Sequence, residues 1–455
     1  MTRKLSMLLI TVAVFAYAQQ TSLTLAGVVE NALRNYPSIR ISQEQINAAS
    51  EGIRLARTAY LPRIDTIAQM NRATRNNVFG LLLPQSVLPS ISGPVLGTNN
   101  FGTVWGSAVG GLVAWEPFDF GLRQANVDIA TAARAQSEAS LKRTRFEVAV
   151  AAADAFLTLA AAQEAVRASQ AGVDRSEIVL RTTTALVNAE LRPGADRSRT
   201  EAELVAARTQ VVQARQAVEV ARATISQFVA LDPSTIAISA AKLTELPPAA
   251  PVVTLNPNAN PAVAEQEAAV ARTQAELRAL ERSYFPRFYL EAAAYTRGSG
   301  AEVDGRRLGG LNGLAPNYQN YALGFTVNFP VMDYAALRAK EAGQSAAIRA
   351  AQAKSQQLVT DLRAQWNRAV ATLNGARDVA ANTPAQISAA RAALEQATAR
   401  YQSGLGVIDA VADAQRLLTQ AEIDDALARL SVWRGLLAVA AAAGDIQPFV
   451  AEASE

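Results

Sequence analysis

The 455-residue sequence contains no cysteine and no histidine. Without cysteine there are no disulfides, thiolate metal sites, cysteine nucleophiles or lipid-modified N-terminal cysteine. Without histidine there is no Ser-His-Asp triad, no histidine-ligated zinc and no use of the commonest general base. No other nucleophile–base pair or metal constellation takes their place, so the chain reads as a non-enzyme with no cofactor and no bound metal. Neither sign of charge is in excess. Lys plus Arg is 43, Asp plus Glu is 40, and the formal net charge is +3. That balance gives no reason to expect nucleic acid as a partner. The chain is 50% hydrophobic, enough for a large core and too much for global disorder.

Long apolar runs are also scarce. The clearest is Leu5 to Ala16, preceded by Arg3 and Lys4 and followed by Ala16-Tyr17-Ala18. That order is a secretory signal peptide over residues 1–18, with cleavage after Ala18. Its core falls short of the roughly 20 apolar residues a spanning helix needs. Farther on, Val432 to Ala443 comes nearest to a span and is broken by Arg434. An exported chain without a spanning helix is soluble outside the cytoplasm, or it crosses a membrane as β-strands.

What the sequence does have is duplication. Tyr36-Pro37 to Leu61-Pro62-Arg63 and Asn260-Pro261 to Phe285-Pro286-Arg287 share a frame with 25 residues between prolines. Pro117-Phe118-Asp119-Phe120-Gly121 resembles Pro330-Val331-Met332-Asp333-Tyr334, and Asp196 matches Asp409 at an offset of 213. Three matches in register make a first repeat over 19–241 and a second over 242–455. Each repeat reads as a helix, two strands around a Gly- and Pro-rich loop, and a long helical hairpin. In the first repeat the helix is 38–61, the strands 62–72 and 104–117, and the hairpin 121–229. In the second they are 262–285, 287–297 and 320–330, and 334–443. Tyr321, Leu323, Phe325, Val327 and Phe329 alternate with small or polar residues, the period of a half-buried strand. Trp105, Val109, Val113 and Trp115 form the same kind of face, with Gly106, Ala108 and Gly110 opposite. The long helices carry seams. Leu204, Ala207, Val211, Ala214, Val218, Ala221, Ile225 and Phe228 are spaced alternately three and four apart, which predicts an antiparallel coiled-coil hairpin. At 1.5 Å per residue, each outgoing helix reaches roughly 105 Å. The second is expected to break at Asn382-Thr383-Pro384, and 232–260 reads as the connector between repeats.

Four strands are too few to close a membrane barrel, whose smallest form has about 8, and bare strand edges are not tolerated in lipid. Several chains must therefore pool their strands. The sequence resembles the TolC-like outer membrane efflux protein family across its whole mature length. The resemblance rests on Leu61-Pro62-Arg63 and Phe285-Pro286-Arg287, on Asp119-Phe120-Gly121 and Asp333-Tyr334, and most specifically on Tyr401-Gln-Ser-Gly404-Leu405-Gly406-Val-Ile-Asp409 through Asp413, Gln415 and Leu417. It implies a mainly α fold with membrane β-structure. Three protomers would each give 4 strands to a 12-strand outer-membrane barrel and coiled-coil hairpins to a 12-helix periplasmic tube. The implied function is a passive exit duct of a tripartite efflux or type I secretion system. The implied partners are two sister copies, outer-membrane lipid, a periplasmic adaptor and an inner-membrane transporter of RND, ABC or MFS type. The alternative from another class is a periplasmic coiled-coil scaffold or adaptor.

Site residues follow from that placement. Asp409 and Asp413 share a helix face at the tube's closed end and would line a cation-favouring gate, together with Asp196. The alternative is that Asp409 and Asp196 cap their helices and Asp413 is a solvated charge. Leu191, Arg192, Gly194, Gly404, Leu405 and Gly406 form the hairpin tips, where an adaptor would dock. Trp105, Trp115, Tyr321 and Phe329 are the candidate membrane-interface aromatics. Gly298-Ser299-Gly300 and Gly309-Gly310 lie in a hairpin loop and form no phosphate cradle. Arg282, Arg287 and Arg297 read as interfacial charges. Two features depart from the family pattern: Glu190 stands where the first tip usually has glycine, and the acids are four apart rather than three.

Overall fold

The computed structural model describes residues 22–74, 102–248, 254–302 and 306–454. The leader at 1–18 lies outside the described residues. The principal elements, in order, are α1 (Leu25–Asn35), α2 (Pro37–Thr58), β1 (Arg63–Thr74), β2 (Thr103–Phe118), α3 (Leu122–Asn188) and α4 (Gly194–Val229). Then come α5 (Pro261–Arg282), β3 (Arg287–Ser299), β4 (Tyr318–Asn328), α6 (Tyr334–Gln402), α7 (Ile408–Ala443) and α8 (Gln447–Ser454). Helices α2 and α5 each begin on a proline, which is pre-set for the first turn and lacks only an amide that would have no helical partner. Each ends four residues before the next proline, which cannot extend the helix.

Two compact units cut across chain order. One gathers Met1–Ile41, Lys142–Pro261 and Val359–Glu455; the other gathers Ser42–Leu141 and Ala262–Leu358. The second unit holds a four-stranded antiparallel sheet in the order β1-β2-β3-β4, so β1 and β4 are its edges. Register aligns Ile64, Val113, Ala292 and Leu323 in one row. Ile64, Met70, Val109, Trp115, Leu290, Tyr321, Leu323, Phe325 and Val327 all project from that face, and all are exposed. The opposite face buries Val104, Ala108, Leu112 and Ala293, with Ile67, Tyr295 and Ala322 packed beside them, and also carries Asp65, Gln69, Asn71 and Glu291. This is the inverse of a soluble sheet: the large apolar side chains point away from the protein. Gly110 permits the β2–β3 approach, since a Cβ there would lie 2.2 Å from the Tyr295 Cβ.

The first unit is helical. Leu25, Val28, Val29 and Ala32 give α1 an i, i+3, i+4, i+7 stripe, and Thr24 caps it by accepting from the Gly27 amide at 3.2 Å. That stripe joins Ala152, Phe156 and Leu159 of α3, Ile225 and Phe228 of α4, Trp433 and Leu437 of α7 and Phe449 of α8 in one core. By length and composition α3 and α7 are apolar enough to cross a membrane; here these side chains of theirs fill that core. Lower on the hairpin, Val173 of α3 packs with Leu204 and Val211 of α4, the expected seam. A parallel two-residue bridge, Ser22–Leu23 with Ala237–Ile238, ties the start of the chain to the connector. The sequence reading missed α1 and α8, and its break at Asn382-Thr383-Pro384 does not occur: α6 continues through Pro384.

Candidate functional site: hairpin tips and exposed sheet

Both long hairpins turn by the same device. At the first tip the Leu191 amide donates to the Leu186 carbonyl and Glu190 donates to Val187; at the second Leu405 donates to Arg400 and Gly404 to Tyr401. These paired bonds satisfy carbonyls left open at a helix end and require a left-handed residue. Gly404 takes that role with φ +84° and Glu190 with φ +60°. Glycine does so without strain, whereas a side chain costs roughly 1–2 kcal/mol there. The non-glycine at the first tip is therefore a strained turn with the same hydrogen bonds as the second. It also places the first and second hairpins at an offset of 214, so Asp196 and Asp409 are displaced by one residue rather than equivalent.

The tips are bound to each other. Tyr401 is buried, and its hydroxyl donates to Asp196 Oδ2 at 2.9 Å. The Arg192 guanidinium lies over the Tyr401 ring at 4.3 Å and donates to the Tyr401 carbonyl. Tyr401, Ile408 and Val411 close a small core with Val179, Leu186 and Leu394. Burial, reinforced by the Asp196 carboxylate, pushes the Tyr401 hydroxyl above the usual tyrosine range. Leu191 and Leu405, by contrast, are 69% and 75% exposed at the apex. Gly406 lies close to the Arg400 backbone, 3.2 Å from where its Cβ would stand, and Gly194 opens α4.

The acids do not cap. Pro193 and Val407 occupy the cap positions, without a side-chain bond, and Asp196 and Asp409 sit inside the first turns. There they complement the helix dipole. Asp409 and Asp413 are both exposed on α7, their side chains 66% and 70% accessible. Asp409 pairs with Arg199 of α4 at 3.4 Å, Arg199 with Glu203 at 3.4 Å, and Arg416 bridges Glu203 and Asp413. The sequence reading weighed these carboxylates without their arginines. Exposed pairs of this kind contribute about 0–1 kcal/mol each.

At the sheet end, Trp115 is partly exposed and its indole donates to the Tyr60 carbonyl at 3.1 Å; Trp105 is half-buried, with Arg72 over its ring at 5.2 Å. Tyr321 is 89% exposed, and Phe329, just past β4, is also exposed. Arg287 makes a bidentate pair with Glu116 at 2.7 and 2.8 Å, and Arg282 lies over Phe285. Sequence reasoning used Asp119 as a motif residue and gave it no role at the strand-to-helix junction. Asp119 is buried, accepts from the Gly121 and Arg123 amides, and pairs with the buried Arg123 guanidinium at 3.0 Å. Arg123 also stacks over Tyr60. The signal was present in the Asp-Phe-Gly-Leu-Arg spacing, because Asp119 and Arg123 are four apart. Among the described residues, no group of three or more His, Cys, Asp or Glu side chains could hold a metal.

The sequence profile of a protein family described as outer membrane efflux protein matches residues 28–230 and 257–445. No curated protein sequence matches the chain. Among solved structures, the outer-membrane channel OprN is similar at 20% identity, covering 92% of this chain and 89% of its own, with a TM-score of 0.71. The Campylobacter jejuni CmeC outer membrane channel is 14% identical, with 95% and 89% covered and a TM-score of 0.71. The open state of the Neisseria gonorrhoeae MtrE outer membrane channel is 19% identical, with 92% and 89% covered and a TM-score of 0.68.

Proposed function

The chain belongs to the outer membrane efflux protein family and is an outer-membrane exit duct; from that premise we propose how its parts do the work. The observation that carries the reading is the four-stranded sheet whose two edges are unpaired among the described residues, with an apolar outward face. A bilayer leaves no water for bare edge amides, so β1 of one copy must pair with β4 of the next. Three copies give twelve strands and close the barrel. Its outward face meets lipid, with Trp105, Trp115, Tyr321 and Phe329 at the interfaces, and its mixed inward face, which carries Asp65, Gln69, Asn71 and Glu291, lines the passage. The duct is passive: cargo is delivered by a periplasmic adaptor and an inner-membrane transporter of RND, ABC or MFS type. Exposed Leu191 and Leu405, presented by the turns at Arg192, Gly194, Gly404 and Gly406, are the adaptor's contact. Asp409 and Asp413 line the periplasmic mouth, and Asp196 holds the tips together through Tyr401. A scaffold or adaptor would have no use for large side chains on the wrong face of a sheet.

The test is conductance of purified full-length protein in a planar bilayer. The duct reading expects stable channels with a cation preference, and Asp409→Ala with Asp413→Ala should weaken that preference and the block by multivalent cations. Unchanged selectivity would remove the acids from the mouth and leave the duct intact. A wild-type preparation that inserts and never conducts would overturn the duct.

A further inference from the structure

The second hairpin contains a residue that a long helix should reject. Pro384 lies inside α6, where it has no amide for the Ala380 carbonyl and its ring crowds that carbonyl. The neighbouring Thr383 hydroxyl stands 3.3 Å from the Ala380 oxygen and 2.6 Å from Asp425 Oδ1 on α7. It has one proton for two acceptors. Asp425 is 5% exposed and also takes Arg429, whose other nitrogen donates to the Thr244 carbonyl in the connector at 3.0 Å. Four residues thus tie the broken rung of α6 to α7 and to the connector. Beside them lies a cavity of about 290 Å³ lined by Thr244, Ile387, Asp425 and Arg429, among others. At the offset of 214 the first hairpin has Ser169, Gln170 and Val211 where the second has Thr383, Pro384 and Asp425.

We propose that Pro384 is a hinge present only in the second hairpin, and that Thr383, Asp425, Arg429 and the Thr244 carbonyl are its latch. Latched, the Thr383 proton goes to Asp425. Released, the hydroxyl turns to the Ala380 carbonyl that proline leaves unpaired, and the turn of α6 around Pro384 opens locally while the tip stays bound to the first hairpin. The two arrangements exchange one hydrogen bond for another, which makes the element two-state.

Amide hydrogen exchange of the full-length detergent-extracted protein tests this directly, because local opening sets the rate. Residues 377–390 should exchange at least tenfold faster than the equivalent 163–176. Thr383→Val, nearly isosteric, should speed 377–390 and the connector around Thr244 by a further threefold or more. Pro384→Ala, which restores the missing amide, should slow 377–390 to the rate of the first hairpin. Equal exchange of the two segments in the wild type overturns the hinge, as does a shift of both variants in the same direction. None of these readings depends on conductance, so the hinge and the duct fail separately.

Discussion

Single residues decide how the ends of the long hairpins are held. Glu190 sits at φ +60° in a turn where its counterpart is Gly404. Glu190→Gly should therefore stabilise the protein by about 1 kcal/mol, read as a rise in thermal midpoint; no change would mean the turn is unstrained. Tyr401→Phe should destabilise by about 1.5–3 kcal/mol, because it removes a hydrogen bond to a carboxylate. The same contact has a pH signature. The hydroxyl is held above its ordinary value, so the folded state binds that proton more tightly than the unfolded chain. Its stabilisation is full below the ordinary tyrosine pKa, about 10, and falls as pH rises through the raised value. Proteolysis at 189–194 and 402–407 should accelerate in that alkaline range, and Tyr401→Phe should lose the dependence. At the strand-to-helix junction, Asp119→Ala leaves Arg123 buried without its carboxylate and should cost about 3–5 kcal/mol, measured as lost thermal stability.

At the scale of elements, much was legible because the periods are simple. The alternation of Tyr321, Leu323, Phe325 and Val327 and the heptad steps from Leu204 to Phe228 read directly as strand and hairpin, and the register and cores place them so. Local propensity misled where tertiary contacts compensate. Pro384 reads as a helix end, yet α6 runs through it, packed on α7 through Leu373 and Ala380 before the proline and Ala390 after it. Helix α1 is only 11 residues, and its stripe became meaningful only once α3, α4 and α8 were there to cover it. The tip contacts were hidden for another reason: Tyr401, Arg192 and Asp196 meet across some 200 residues of sequence, and no spacing rule reports that. The sheet makes a sharp prediction of its own. Leu323→Arg puts a charge on the lipid face and should cost about 2–4 kcal/mol near mid-membrane, seen as less folded barrel in the outer membrane; Asn320→Arg, on the opposite face of the same strand, should be tolerated.

For the whole molecule, everything turns on the two edges, unpaired among the described residues, of a sheet too small to close. The apolar face that would be a liability in water is the one a bilayer accepts, but only if β1 and β4 find partners on other chains. The central claim is therefore a count of chains. Native mass spectrometry of the detergent-extracted protein, with the far-ultraviolet β signal checked on the same sample, measures it most directly. The account predicts three copies that keep their strands. A folded, strand-containing single chain would contradict it.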